Sequence, residues 1–154
     1  GISVYVVNNE FKNIRALVIG GSRGLGEVVA KLIAAGGGEA IITYNVGRSD
    51  AEKVFRDIKS WGGICKTYQL TVNKNSHLPL NDLNINQLYY FPSPKIYGKR
   101  TTEVDKNLIK EFEDKDIVVS WSLGYKDKGA TKRLKMKNNY VIVQSERKLY
   151  LISI

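Results

Sequence analysis

The residues best suited to chemistry lie together early in the chain, in Gly20-Gly-Ser-Arg-Gly-Leu-Gly26. Glycine at 20, 24 and 26 leaves no side chain there to hold a ligand off the backbone, so the loop N–H groups can face a phosphate or pyrophosphate. A helix that opens within the loop adds the positive end of its dipole. Arg23 in the loop and Arg48 further on carry guanidinium groups, whose paired donors suit a phosphate ester. An acidic residue about 20 positions past such a loop would instead accept from ribose hydroxyls. Here that neighbourhood holds Tyr44, Asn45 and Val46, with no carboxylate before Asp50.

Other reactive types are sparse. The single cysteine, Cys65, excludes an intramolecular disulfide. It reads as a small apolar residue entering a strand, with no helix N-terminus or histidine at hand to activate it. The single histidine, His77, sits in a polar stretch, and no metal site is expected, because a His-based site needs further ligands.

Such a loop works only between a buried strand and a helix, and the flanking pattern predicts both. Ala16-Leu-Val-Ile19 is a compact apolar run of the kind that a parallel strand buried on both faces requires. Beyond the loop, Leu25, Val28, Val29, Leu32 and Ile33 recur at helical spacing, and Gly36-Gly-Gly38 ends the run. Ala40-Ile-Ile-Thr-Tyr44 reads as a second strand. Ser49-Asp-Ala-Glu52 reads as a capping box that opens a helix with Val54, Phe55, Ile58 and Trp61 on one face. A third strand is expected near 66–72, which completes a βαβαβ unit over residues 15–72 with right-handed crossovers and a parallel sheet.

The later chain is less sharply patterned. A short strand is expected at 2–7, a turn or short helix at 78–83 and a fourth parallel strand at 88–91, halted by Pro92 and Pro94. Thr102-Glu-Val-Asp105 reads as another capping box, before a helix with Val104, Leu108, Ile109 and Phe112 on its apolar face. From 116 onward the period changes to that of strands, at 117–123, 131–136, 140–143 and 149–154, in an antiparallel meander. The expected fold class is therefore α/β: a Rossmann-like parallel sheet with flanking helices, followed by a small antiparallel β-rich C-terminal segment. The expected division is a dinucleotide-binding region at 1–98 and a helix plus antiparallel β segment at 99–154.

Ile19-Gly-Gly-Ser-Arg-Gly-Leu-Gly26 resembles the Thr-Gly-x-x-x-Gly-x-Gly loop of the short-chain dehydrogenase/reductase family, with Ile19 in place of the usual Thr. The similarity runs through Ile41-Ile-Thr-Tyr-Asn45 to Leu70-Thr-Val72 and covers well under half of a full family domain. It implies a doubly wound Rossmann fold and hydride transfer between NAD or NADP and a carbonyl or alcohol. An arginine at position 23 resembles the arrangement that favours NADP over NAD. The cofactor-binding residues implied are Gly20, Ser22, Arg23, Gly24, Leu25, Gly26, Tyr44, Asn45, Arg48, Thr71 and Val72.

Three departures bear on activity. Thr71-Val72 stands where the family has Asp-Val beside adenine, and Phe91-Pro-Ser-Pro94 where it has Asn-Asn-Ala-Gly beside the nicotinamide ribose. The family's catalytic Tyr-x-x-x-Lys is not found: none of the nine tyrosines has lysine four residues on, and no catalytic residue is assigned. The alternative to a reductase is a catalytically silent nucleotide-binding or regulatory module.

The bulk properties narrow the class further. With 43% hydrophobic and 25% charged residues, the chain reads as globular, and no apolar run approaches the length of a membrane span. A cytoplasmic location is the expectation. The net charge of +9 is uneven: residues 126–148 hold eight basic residues against two acidic ones, a local excess of +6. That patch could contact nucleic acid, but its alternation around Leu134 and Met136 is more simply the wet face of a strand.

Overall fold

Side-chain alternation along the strands sets the layers of the molecule. The structure is a computed structural model that describes residues 9–72, 83–91, 102–115, 117–121, 136–137, 140–144 and 149–153. Strands β1 (Arg15–Ile19), β2 (Glu39–Tyr44), β3 (Ile64–Gln69), β4 (Gln87–Tyr90) and β5 (Val118–Trp121) form one sheet in the order β3-β2-β1-β4-β5. Every pairing in it is parallel. Helices α1 (Gly24–Ala35), α2 (Arg48–Ser60) and α3 (Thr102–Glu113) make up the flanking layers.

Because side chains point alternately to opposite faces, a strand buried on both sides feeds two cores. Ala16 and Val18 of β1, Ala40 and Ile42 of β2 and Tyr89 of β4 join Val29, Ile33, Val54 and Ile58 of α1 and α2. Leu17, Ile19, Ile41, Leu88 and Tyr90 join Val104, Leu108, Ile109 and Phe112 of α3 on the other face. A residue such as Ile33 or Phe112, fully buried, contributes about 1.5–3 kcal/mol through the area it removes from water. A separate antiparallel sheet joins β6 (Met136–Lys137), β7 (Tyr140–Gln144) and β8 (Leu149–Ser153). The expected fold class is thus present in both its parts.

Several local expectations are corrected. The third strand starts at Ile64, not near 66, and ends at Gln69. Gly62, at φ +79°, and Gly63, packed on Ile58, turn the chain straight off α2 into the sheet. That early exit leaves Trp61 beyond the helix end and 54% exposed, where helical spacing placed it on the apolar face. Val28, expected on the buried face of α1, is also exposed. The capping box read at Ser49 does not form. Helix α2 begins at Arg48 with Gly47 as its N-cap and no side-chain cap, so Ser49 lies inside the first turn and Glu52 pairs with Arg48 at 3.0 Å. In α3, Thr102 is already helical and Asp105 is fully buried, accepting from the Tyr90 hydroxyl at 2.5 Å.

The strand expected at 117–123 belongs to the parallel sheet and not to the meander. Val118 pairs with Gln87 and Val119 with Leu88, and Val119 is buried in the core that holds Phe112. A strand that follows a helix packed on the sheet returns parallel, which is the crossover rule already at work in the first βαβ units. The features expected at 2–7, 78–82 and 131–135 lie outside the described residues.

Candidate functional site

β1 delivers its last residue to the C-terminal edge of the sheet, and the glycine turn starts there. Gly20 has φ +82°, and a Cβ on it would stand 2.0 Å from the Phe91 carbonyl oxygen. The Phe91 N–H donates to the Ile19 carbonyl at 2.9 Å, so β1 and β4 are tied together at this point. It is also where the connections diverge, to β2 on one side of β1 and to β4 on the other. Parallel α/β sheets bind ligands in the crevice that such a divergence opens.

The turn is fixed to its neighbours by contacts that only glycine allows. A Cβ on Gly26 would meet the Gly20 carbonyl oxygen at 2.1 Å, so the first turn of α1 sits directly on the loop. One on Gly21 would lie 2.7 Å from the Ile42 side chain. The Gly21 N–H donates to the Thr43 carbonyl at 3.2 Å, and the Gly20 N–H to the Thr43 hydroxyl at 3.4 Å. Gly24 has nothing within 4 Å but takes φ +54°, which other residues adopt at a cost.

This packing leaves N–H donors without a helical partner at the start of α1. Arg23 is the N-cap, in an extended conformation with no side-chain cap, and the first intrahelical bond runs from the Glu27 N–H to the Arg23 carbonyl at 3.3 Å. The N–H groups of Gly24, Leu25 and Gly26 precede it and have no helical partner. Ser22 is buried, and its hydroxyl has no hydrogen-bond partner among the described residues. Bare backbone, donors without a helical partner and a helix dipole are the features that suit a pyrophosphate.

The charge beside the cradle is mixed. Arg23 Nε lies 3.5 Å from Asp50 Oδ2 in the first turn of α2, with the side chains 67% and 46% exposed. A Cβ on Gly47 would meet Ser22 Oγ at 3.4 Å, Asp50 Oδ2 at 3.6 Å and Arg23 Nε at 3.9 Å, so these three groups converge over the N-terminus of α2. At the ends of β2 and β3, the Thr71 hydroxyl donates to Asn45 Oδ1 at 2.9 Å. Gln69 Nε2 reaches the Asn45 carbonyl at 3.2 Å and Thr71 Oγ1 at 3.3 Å.

No protein-family model matches the sequence, and no curated protein matches it. Among solved structures, a short chain dehydrogenase from Burkholderia cenocepacia in complex with NADP is 26% identical with a TM-score of 0.48, covering 55% of this chain and 37% of that one. An alternative dihydrofolate reductase from Brucella canis, complexed with NADP, is 20% identical with a TM-score of 0.48, covering 54% of this chain and 35% of that one. The citronellol catabolism dehydrogenase of Pseudomonas aeruginosa is 15% identical with a TM-score of 0.52, covering 72% of this chain and 52% of that one. The chain has the Rossmann-like fold of the short-chain dehydrogenases. It spans about a third to a half of the length of the structures it matches.

Within this dehydrogenase-like frame the residues singled out from the sequence divide by environment. Gly20, Ser22, Arg23, Gly24 and Gly26 gather at the turn, and Asn45 and Thr71 bond each other beside it. Leu25 and Tyr44 pack partly buried against one core, and Val72 is buried in the other, which gives their side chains a packing role. Arg48 runs along the exposed face of α2 to Glu52.

Gly21, Thr43, Gly47, Asp50 and Phe91 also shape the site, and spacing did not single them out. Thr43 carries a readable signal, as a polar residue inside a largely apolar strand that ends beside the glycine turn. The others act through tertiary contacts that no local pattern encodes. Cys65 is buried, and burial pushes its thiol up to about 11 against a minor lowering by Lys59, which suits packing and not reactivity. Among the described residues there is no cluster of three or more metal-ligating side chains, and no helix is long and apolar enough to cross a membrane.

Proposed function

We propose that the chain binds a dinucleotide at the turn 20–26, NADP in preference to NAD, as an oxidoreductase of the short-chain dehydrogenase/reductase kind. The observation that carries this reading is the seat of Gly26 on the Gly20 carbonyl, which brings the uncapped start of α1 onto the loop at the crevice between β1 and β4. The loop N–H groups bind the pyrophosphate, and Arg23 provides the charge for a 2′-phosphate. Asn45 and Thr71 border the site at the ends of β2 and β3. When bound, the cofactor supplies hydride exchange with a carbonyl or alcohol.

Titration with NADPH and NADH tests the reading. NADPH is expected to bind more tightly, and Arg23→Ala to weaken it about tenfold while leaving NADH little changed. Tighter NADH binding, indifferent to Arg23→Ala, would sink the preference. A second reading, a catalytically silent nucleotide-binding module, is favoured by the missing Tyr-x-x-x-Lys spacing. Incubation with NADPH and a panel of carbonyl compounds separates the two: binding without turnover selects the silent module.

A further inference from the structure

We infer that Asp50 is a specificity-determining residue of the proposed dinucleotide site, an internal counter-ion to Arg23 that narrows the preference for a phosphorylated ribose. The inference rests on the reading above and adds a group that opposes Arg23. The Asp50 carboxylate sits 3.5 Å from Arg23 Nε, and it is held in the first turn of α2, where the helix dipole favours negative charge. Ser22 Oγ, a buried hydroxyl without a partner among the described residues, approaches the same point above Gly47. Three groups therefore face any ligand entering between the glycine turn and α2: a cation, a neutral hydroxyl and an anion.

The two dinucleotides meet this trio differently. A 2′-phosphate, close to doubly negative, must share the guanidinium with a carboxylate already on its Nε side, and the like charges repel across it. An unphosphorylated ribose brings no charge and leaves the Arg23–Asp50 pair intact. Asp50 thus offsets part of the attraction that Arg23 supplies, and selectively for the phosphorylated ligand. Because Arg23 is exposed and Asp50 about half exposed, the effect is screened by salt.

The test is direct binding of NADPH and NADH to the full chain and to Asp50→Asn, at low and raised salt, with thermal melting as a control for folding. Asp50→Asn keeps the shape and removes the charge, and Asp50→Ser gives a second neutral variant compatible with a helical first turn. Both are expected to bind NADPH about five- to tenfold more tightly at low ionic strength, with NADH within about twofold and the gain shrinking as salt rises. Equal shifts for both ligands, or none, overturn the inference, since a merely structural role would move them together. Selective loss of NADH also overturns it and makes Asp50 an acceptor for ribose hydroxyls. Failure of the wild-type chain to bind either dinucleotide removes the proposed function itself, and the inference with it.

Discussion

Gly24 and Gly26 carry the same letter two positions apart, yet they are glycine for different reasons. At Gly24 the demand is conformational, φ +54° in open space; at Gly26 it is steric, because the Gly20 carbonyl oxygen occupies the place of a Cβ. Gly24→Ala should therefore cost about 1–2 kcal/mol and leave the turn in shape. Gly26→Ala should cost about 2–4 kcal/mol and push α1 off the loop, weakening dinucleotide binding beyond the stability loss. Denaturant unfolding and cofactor titration of the two variants check this order. The glycine spacing was legible in the sequence because the backbone conformation demands it locally. The distinction was not, since the obstructing atoms belong to the backbone of Gly20 and Gly21, and only the folded chain brings them into place.

Cys65 shows how a residue with no chemistry of its own can still report on folding. Its thiol is pushed from 9.0 up to about 11 by burial. Between those values the folded state keeps a proton that the unfolded state releases, so stability is flat below about pH 9 and falls as pH rises toward 11. The loss attributable to Cys65 is about 2 kcal/mol at the top of that window. Urea unfolding of wild type and Cys65→Ala at pH values on either side of the window isolates it: the variant is less stable at neutral pH but loses less on alkalisation. Native Cys65 should also alkylate far more slowly than the unfolded chain.

At the scale of elements, α1 and α2 were legible because their apolar spacing is long and regular, while the start of α2 was misread. A capping box is a local pattern, and at Ser49 it loses to another local pairing: the helix starts one residue earlier and Glu52 pairs with Arg48 one turn back. Tyr90→Phe removes a donor from a fully buried carboxyl between β4 and α3, and about 1.5–3 kcal/mol of stability should go with it. Lys31 of α1 joins the two helices, at 2.6 Å from Glu27 and 3.1 Å from Asp57 of α2. Burial alone pushes its ammonium down, but the two carboxylates outweigh that and the net direction is up. Its contribution is therefore complete at neutral pH and is lost only as pH rises past the ordinary lysine range. Lys31→Met should cost about 0.5–1 kcal/mol, less at high salt, in thermal unfolding. The strand after α3 was misassigned for a related reason. Four or five alternating residues fit either a parallel or an antiparallel partner, and only the pairing of Val119 with Leu88 decides.

On the scale of the whole molecule, the question is which edge of the sheet takes the ligand. A cavity of about 360 Å³ lies at the opposite edge, lined by Asn9, Ala35, Gly37, Trp61, Gly63 and Ile64, among others. Its walls come from the C-terminal ends of α1 and α2, and the negative ends of the two dipoles disfavour a phosphate there in spite of its size. The cradle at 20–26 offers N–H groups and the positive dipole end. On the proposed reading, electrostatics outweighs concavity in choosing the site. Saturating NADPH, at about 100 times its dissociation constant, should stabilise the fold by about 2.7 kcal/mol and raise the melting temperature by about 5–10 °C. Hydrogen exchange then locates the ligand. The amides of Gly24, Leu25 and Gly26, unpaired within the helix, should become protected, while those of Gly37, Gly63 and Ile64 exchange as before. Protection at the second set and not the first would move the ligand to the cavity and end the case for the glycine turn as a cofactor site.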